Sequence, residues 1–136
     1  MINRVLFSSA SDNWKTPKDV YDKLNEEFQF DFDPCPYNEN HNITSINGLM
    51  TDWGNSNFVN PPYSKIADWC KKAYMEYKKG KTVVMLIPSR TDTKYWHEYI
   101  MKATEIRFIK GRLKFGDSKN SAPFPSAVVV FRGMVE

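Results

Sequence analysis

The chain has 136 residues, of which 41% are hydrophobic and 15% aromatic, and carries a net charge of +3. That length supports one buried core, so a single domain over residues 1–136 is expected, with little spare chain for a second module. No apolar run reaches membrane-spanning length and residues 1–10 show no charged-then-apolar signal pattern, which argues against a membrane partner and for a soluble, cytoplasmic protein.

In chain order, residues 1–13 read as a polar, irregular arm after the short Val5-Leu6-Phe7 run. A helix is expected over about 18–27, with Thr16 as N-cap, Pro17 in the first turn and Asp19 at the positive end of the dipole. Val20, Leu24 and Phe28 share one of its faces. Residues 29–33 alternate polar and aromatic, with Phe30 and Phe32 on one side, and read as a first strand ended by Asp33-Pro34-Cys35-Pro36. The Asn-rich stretch 37–47 favours turns and side-chain-to-backbone hydrogen bonds. A full strand-helix-strand unit hardly fits between Pro36 and Phe58, so the sheet should be a reduced one. Asp52-Trp53-Gly54 reads as a turn with a buried indole.

Phe58-Val59-Asn60-Pro61-Pro62-Tyr63-Ser64 is the stretch around which the rest is organised. Two prolines lock their own φ angles and push Asn60 into extended geometry, so a strand arriving through Phe58 and Val59 must stop there. In an open α/β sheet, ligands sit at that carboxyl edge. The Asn60 side-chain oxygen and the Pro61 carbonyl are two acceptors held close together, and Tyr63 offers a ring face. Such a corner suits the amino group of a nucleobase taken out of its stack.

Beyond the corner, Ile66, Trp69, Ala73 and Tyr77 recur at helical spacing, which predicts a helix over 66–79 ended by Gly80, with a solvated lysine face. Residues 82–87 are β-branched and apolar without alternation, as in a buried central strand. Pro88-Ser89-Arg90 stops that strand at the same edge as Asn60, which makes Arg90 a candidate functional residue; a salt bridge to Asp92 is its plain alternative. Thr91 or Asp92 is expected to cap a helix through about Lys102, on which His97 is structural or exposed. Strands are expected at 105–109, 111–116 and 127–131, the last two forming an antiparallel hairpin. Its connecting loop, 117–125, lies beside Arg112, Lys114 and Lys119 and is either a substrate-facing element or a mobile hairpin tip. Cys35 and Cys70 belong to no Cys/His cluster, so no structural metal is expected.

Asn60-Pro61-Pro62-Tyr63 resembles the catalytic motif of S-adenosylmethionine-dependent amino-methyltransferases. Together with Trp14-Lys15-Thr16-Pro17, Phe30-Asp31-Phe32-Asp33-Pro34-Cys35 and Leu86-Ile87-Pro88-Ser89-Arg90-Thr91-Asp92-Thr93, in that order, it makes the chain similar to the phage-type DNA N-6-adenine methyltransferase family from about Ser8 to Phe131. The resemblance implies a reduced Rossmann-like methyltransferase fold, a mostly parallel sheet with the antiparallel C-terminal hairpin. It also implies transfer of a methyl group from S-adenosylmethionine to the exocyclic N6 of a flipped adenine in DNA, in the cytoplasm of a bacterial host.

By that resemblance Trp14, Thr16, Pro17, Asp33, Pro34, Cys35, Asn40, Asn47 and Asn60 contact the cofactor. Asn60, Pro61, Pro62 and Tyr63 form the catalytic corner, and Tyr63, Ser64, Lys65, Arg90, Arg112 and Lys114 meet the DNA. No glycine follows Asp33 before Gly48, so the usual glycine-rich cofactor turn is absent and Pro34, Cys35 and Pro36 must shape that wall. Specificity is expected to be short, relaxed, or supplied by a partner protomer in a homodimer. The competing readings are the same chemistry on cytosine N4, RNA or protein glutamine, and a non-catalytic nucleic-acid-binding protein on this fold. A small α/β domain in which the double proline is only a turn is the third.

Overall fold

A computed structural model describes residues 15–36, 48–115 and 121–133. Helix α1 (Lys18–Phe28) buries Leu24 and carries Asp19 in its first turn. It ends at Gln29, whose φ of 49° is left-handed and whose N–H reaches the Asn25 carbonyl. The Asn25 side chain also accepts from Phe30 N at 2.9 Å, so one residue closes the helix twice.

Four strands follow: β1 (Ser56–Val59), β2 (Thr82–Pro88), β3 (Glu105–Phe108) and β4 (Ser126–Phe131), in spatial order β1-β2-β4-β3. β1 runs parallel to β2 from Ser56↔Thr82 to Val59↔Met85. β4 lies antiparallel to both of its neighbours, with Val128 opposite Leu86 on one side and Arg107 on the other. The sheet is therefore mixed, with one parallel and two antiparallel pairs, which corrects the expectation of a mostly parallel one.

Alternation along β2 and β4 separates two cores. Val83, Met85, Ile87, Ala127, Val129 and Phe131 face one cluster, which contains Trp69, Cys70 and Ala73 of α2 (Ile66–Lys78) together with Tyr95 and Trp96 of α3 (Lys94–Glu98). Val84, Leu86, Val128 and Val130 face the other, with Leu24 of α1, Phe115, Ala122 and Phe124. Burying each such aliphatic side chain stabilises the fold by roughly 1.5–3 kcal/mol, so the doubly covered β2 and β4 are its energetic centre.

The helix read over 66–79 is found as α2, preceded by a 3-10 turn at Tyr63–Lys65 and ended by Gly80 at φ 99°. The central strand read at 82–87 is found as β2. Four expectations change. The first strand reduces to a single parallel bridge, Phe32 to Asn57, flanked by Asp31 N to Ser56 O and Phe58 N to Phe32 O.

The cap of α3 is Thr93, which accepts from Trp96 N, rather than Thr91 or Asp92. That helix ends at Glu98 and a separate 3-10 turn covers Ile100–Lys102. Thr16 makes no capping hydrogen bond to α1, because the cap position falls on Pro17, one residue closer to the helix; the Thr16 hydroxyl instead accepts from Asn60.

Finally, residues 111–115 form no strand. Gly111 turns the chain at φ 76°, Leu113 and Phe115 pack into the second core, and the antiparallel partner of β4 on that side is β3.

Two charged networks tie the elements together. Glu76 on α2 is wholly buried; Lys72, Lys79 and Lys81 reach it at 2.6–3.0 Å, and Trp53 N donates to its Oε1. Burial alone would push this carboxyl up, but the hydrogen bonds from Lys81, Lys72, Lys79 and the Trp53 N–H outweigh it and hold it at about 2. At the surface, Arg107 on β3 makes a two-pronged contact to Glu27 of α1, each leg 2.7 Å, and also meets Glu105. Among the described residues no helix is long and apolar enough to cross a membrane.

Candidate active site

The two prolines do what their φ restriction demands: β1 ends at Val59, Pro61 is buried, and a 3-10 turn opens at Tyr63. Because β1 and β2 are parallel, Asn60 and the segment after Pro88 lie at the same sheet edge.

Asn60 is held from two sides. Its side-chain Nδ2 donates to the Thr16 hydroxyl at 2.8 Å, and the Cys35 thiol donates to its backbone carbonyl at 3.5 Å. Cys35 N in turn donates to Asp33 Oδ1 at 3.0 Å, which closes the turn after the Phe32 bridge. Two segments far from it in sequence thus converge on one asparagine.

They surround a cavity of about 330 Å³ lined by Lys15, Thr16, Lys18, Tyr21, Asp33, Cys35, Phe58 and Asn60. The Asp33 residue keeps an exposed side, yet desolvation in the cleft pushes its carboxyl up to about 6, opposed by the Cys35 N–H. Burial first, and the Asp33 charge second, push the Cys35 thiol well up, so it is a neutral donor and not a thiolate. Lys18 is engaged by Asp22 at 2.6 Å, and the aromatic walls are Tyr21 and Phe58, in edge contact at 5.2 Å. A carboxylate, an exposed lysine and aromatic walls together offer one negative group, one positive group and apolar ring faces.

Outside the cavity, the Tyr63 ring meets Phe124 in a T-shaped contact at 5.2 Å, and Phe124 in turn meets Phe115 at 6.1 Å. Burial pushes the Tyr63 phenol well above its ordinary value, while the nearby Arg90 charge pulls the other way. Arg90 is exposed and, among the described residues, forms no ion pair with Asp92. Ser89 N donates to Pro125 O at 2.9 Å, which brings the segments carrying Arg90 and Phe124 together. Ser64 and Lys65 are exposed on the 3-10 turn, and Arg112 and Lys114 are exposed on either side of the inward Leu113. His97 is exposed and shares a hydrogen bond with Thr91 O at 2.8 Å.

Of the residues assigned to a cofactor, Thr16, Asp33, Cys35 and Asn60 line this cavity. Pro17 and Pro34 adjoin it in the chain, whereas Trp14, Asn40 and Asn47 lie outside the described residues, as do residues 117–120 of the loop at 117–125. Lys15, Lys18, Tyr21 and Phe58 were not anticipated as lining. The signal for Tyr21 was its spacing of four after Pro17 and three before Leu24, which puts it on the inner face of α1. Among the described residues no group of three or more His, Cys, Asp or Glu side chains is arranged to hold a metal ion.

A family model described as DNA N-6-adenine-methyltransferase (Dam) matches residues 5–133. A DNA N-6-adenine-methyltransferase of Haemophilus phage HP1 is 30% identical over 138 aligned positions, covering 90% of this chain and 80% of the relative. One of Escherichia phage T1 is 30% identical over 113 positions, covering 77% of this chain and 48% of that protein. No solved structure matches at a comparable significance.

Proposed function

The chain belongs to the DNA N-6-adenine-methyltransferase family, and from that membership we propose that it methylates the exocyclic N6 of adenine in DNA at the Asn60–Tyr63 corner. The observation that carries this reading is the convergence of Thr16 and Cys35 on Asn60, beside a cavity at the carboxyl end of β1 that Asp33 also lines. The mixed sheet supports a reduced Rossmann-like ground plan: β1, β2 and β3 point the same way, and β4 alone is reversed between the last two.

S-adenosylmethionine, when bound, supplies an electrophilic methyl group on a sulfonium. Its charges fit the donor set of the cavity: the Asp33 carboxylate suits its ammonium group, Lys15 its carboxylate, and Tyr21 and Phe58 its flat adenine.

The rest of the work falls to the chain. The amine of adenine is a weak nucleophile because its lone pair delocalises into the ring. Asn60 Oδ1 and the Pro61 carbonyl accept its two hydrogens, favour a more tetrahedral nitrogen and disperse the positive charge that develops there. Tyr63, backed by Phe124, stacks on the flipped base, which contributes roughly 1–3 kcal/mol. Orientation of the amine at this rigid corner contributes further. Arg90, Lys65, Ser64, Arg112 and Lys114 contact the DNA backbone, and in a homodimer the corresponding residues of a second protomer would extend that contact.

Replacing Asn60 tests the assignment. Asn60→Ala is expected to lower methyl transfer roughly 100- to 1000-fold, as loss of one transition-state hydrogen-bonding group does elsewhere. Calorimetric cofactor affinity should fall far less than turnover, because Asn60 is one of eight residues that line the cavity. Wild-type turnover in that variant would remove Asn60 from the chemistry.

A further inference from the structure

We propose that Gly48 is a positioning residue that holds the Asp33–Cys35 wall of the cavity in place from behind. The inference rests on the reading of that cavity as the cofactor site. The turn after the Phe32 bridge has no glycine of its own. Asp33 and Cys35 each precede a proline, and Pro34 and Pro36 have fixed φ, so the turn is stiff and cannot adjust itself to a bound molecule. Where it lies is set by what it rests on. Asp33 and Cys35 line the cavity, whereas Pro34 between them does not. Pro34 instead presents its carbonyl to the buried Gly48: a methyl group built there would collide with that oxygen and stand 2.7 Å from the Trp69 ring. Only a residue without a side chain allows so close an approach.

Gly48 is itself pinned. Its carbonyl accepts from Trp53 Nε1 at 2.7 Å, and the Trp53 indole stacks on Trp69. The Trp53 backbone is held on both sides: its N–H donates to Glu76 Oε1 at 3.2 Å and its carbonyl accepts from Lys81 Nζ at 2.7 Å. Gly54, next in the chain, repeats the device. A methyl group there would collide with Asp31 Oδ1 and stand 2.8 Å from Phe32 Cβ, and the Asn57 amide fixes both the N–H and the carbonyl of Gly54. The segment from Gly48 to Gly54 therefore lies against residues 31–34 at both of its ends and ties them to the buried Glu76. A side chain on Gly48 would push Pro34 toward the cavity, and Asp33 and Cys35 with it.

The test uses two variants, each studied well below its melting temperature. Gly48→Ala adds the methyl group. Trp53→Phe keeps a ring on Trp69 and removes the N–H that holds Gly48, and it decides the matter where Gly48→Ala does not fold. Calorimetric affinity for S-adenosylmethionine is expected to fall roughly 10-fold in Gly48→Ala, the effect of overpacking a closed site. It should fall less in Trp53→Phe, with kcat at saturating cofactor largely kept in both. In the cofactor-free protein the Cys35 thiol should react faster with a thiol reagent in both variants than in wild type, because its bond to the Asn60 carbonyl is loosened. Cys35→Ser separates that signal from the buried Cys70. Wild-type affinity and wild-type thiol reactivity in a folded variant would overturn the inference and leave Gly48 a stabilising contact alone, seen only as a lower melting temperature. Faster thiol reaction in the variants of a protein that binds no S-adenosylmethionine even as wild type would instead bring down the cofactor reading, so the two failures are distinguishable.

Discussion

The two halves of the sheet treat polar side chains in opposite ways. On the parallel side, around β1 and β2, they turn inward and bond to one another: Glu76 with its lysines, buried Asn57 with Gly54 and the Thr82 carbonyl, Asn60 with Thr16 and Cys35. On the antiparallel side, around β3 and β4, charged groups stay at the surface, either paired as Arg107 is with Glu27 or pointing to solvent as Arg112 and Lys114 do. The inward half can hold a reacting group in one geometry. The outward half holds α1 in place and leaves Arg112 and Lys114 exposed, where the proposed DNA contact lies.

This contrast predicts unequal consequences of mutation. The largest effect is expected at Glu76. Glu76→Ala leaves Lys72 and Lys81 half-buried without their carboxylate and should cost roughly 3–5 kcal/mol of unfolding free energy in a denaturant titration. Its pKa is depressed in the folded state, so its contribution is present above the ordinary carboxylate range and is lost as pH falls from there toward about 2. Arg107→Ala, by comparison, removes only surface pairs and should cost less than about 1 kcal/mol. Equal losses would erase the distinction between the halves.

Asp33 sharpens it at the cavity. A carboxyl raised to about 6 is still protonated at pH 5, so cofactor affinity should weaken as pH falls through that value, and Asp33→Asn should flatten the profile. For folding the sign is reversed. The folded state holds the proton more tightly than the unfolded chain, so this group favours folding below its ordinary value and loses that contribution as pH rises toward 6. Calorimetry across pH 5–8 measures the first effect and thermal melts measure the second.

The smallest effect belongs to the outward charges. Arg112→Ala with Lys114→Ala should weaken DNA binding without altering cofactor affinity, and should make log K against log salt shallower by up to about 2. An unchanged slope would move the DNA path away from this segment.

The corner at Asn60 was legible because two prolines act locally, and α2 because its apolar period and Gly80 are local signals as well. The arrangement of β4 was not. Six successive buried residues mark it as interior, but nothing in them says which strands flank it, and the alternation of Leu113 and Phe115 imitates a strand while serving to pack a core. Glu76 reads as one more charge on a lysine-rich helix, since Lys71 and Lys78 are indeed exposed while Lys72 and Lys79 converge on it. Thr16 and Asn60 are 44 residues apart, and a bond over that distance leaves no trace in any local pattern.

The most direct measurement is to incubate the protein with S-adenosylmethionine labelled in its methyl group and unmethylated DNA, digest the DNA and identify the labelled nucleoside. Label in N6-methyladenine is the predicted result. Label in N4-methylcytosine would contradict the assignment of the amine, and no label in DNA despite measurable cofactor binding would contradict the assignment of the substrate.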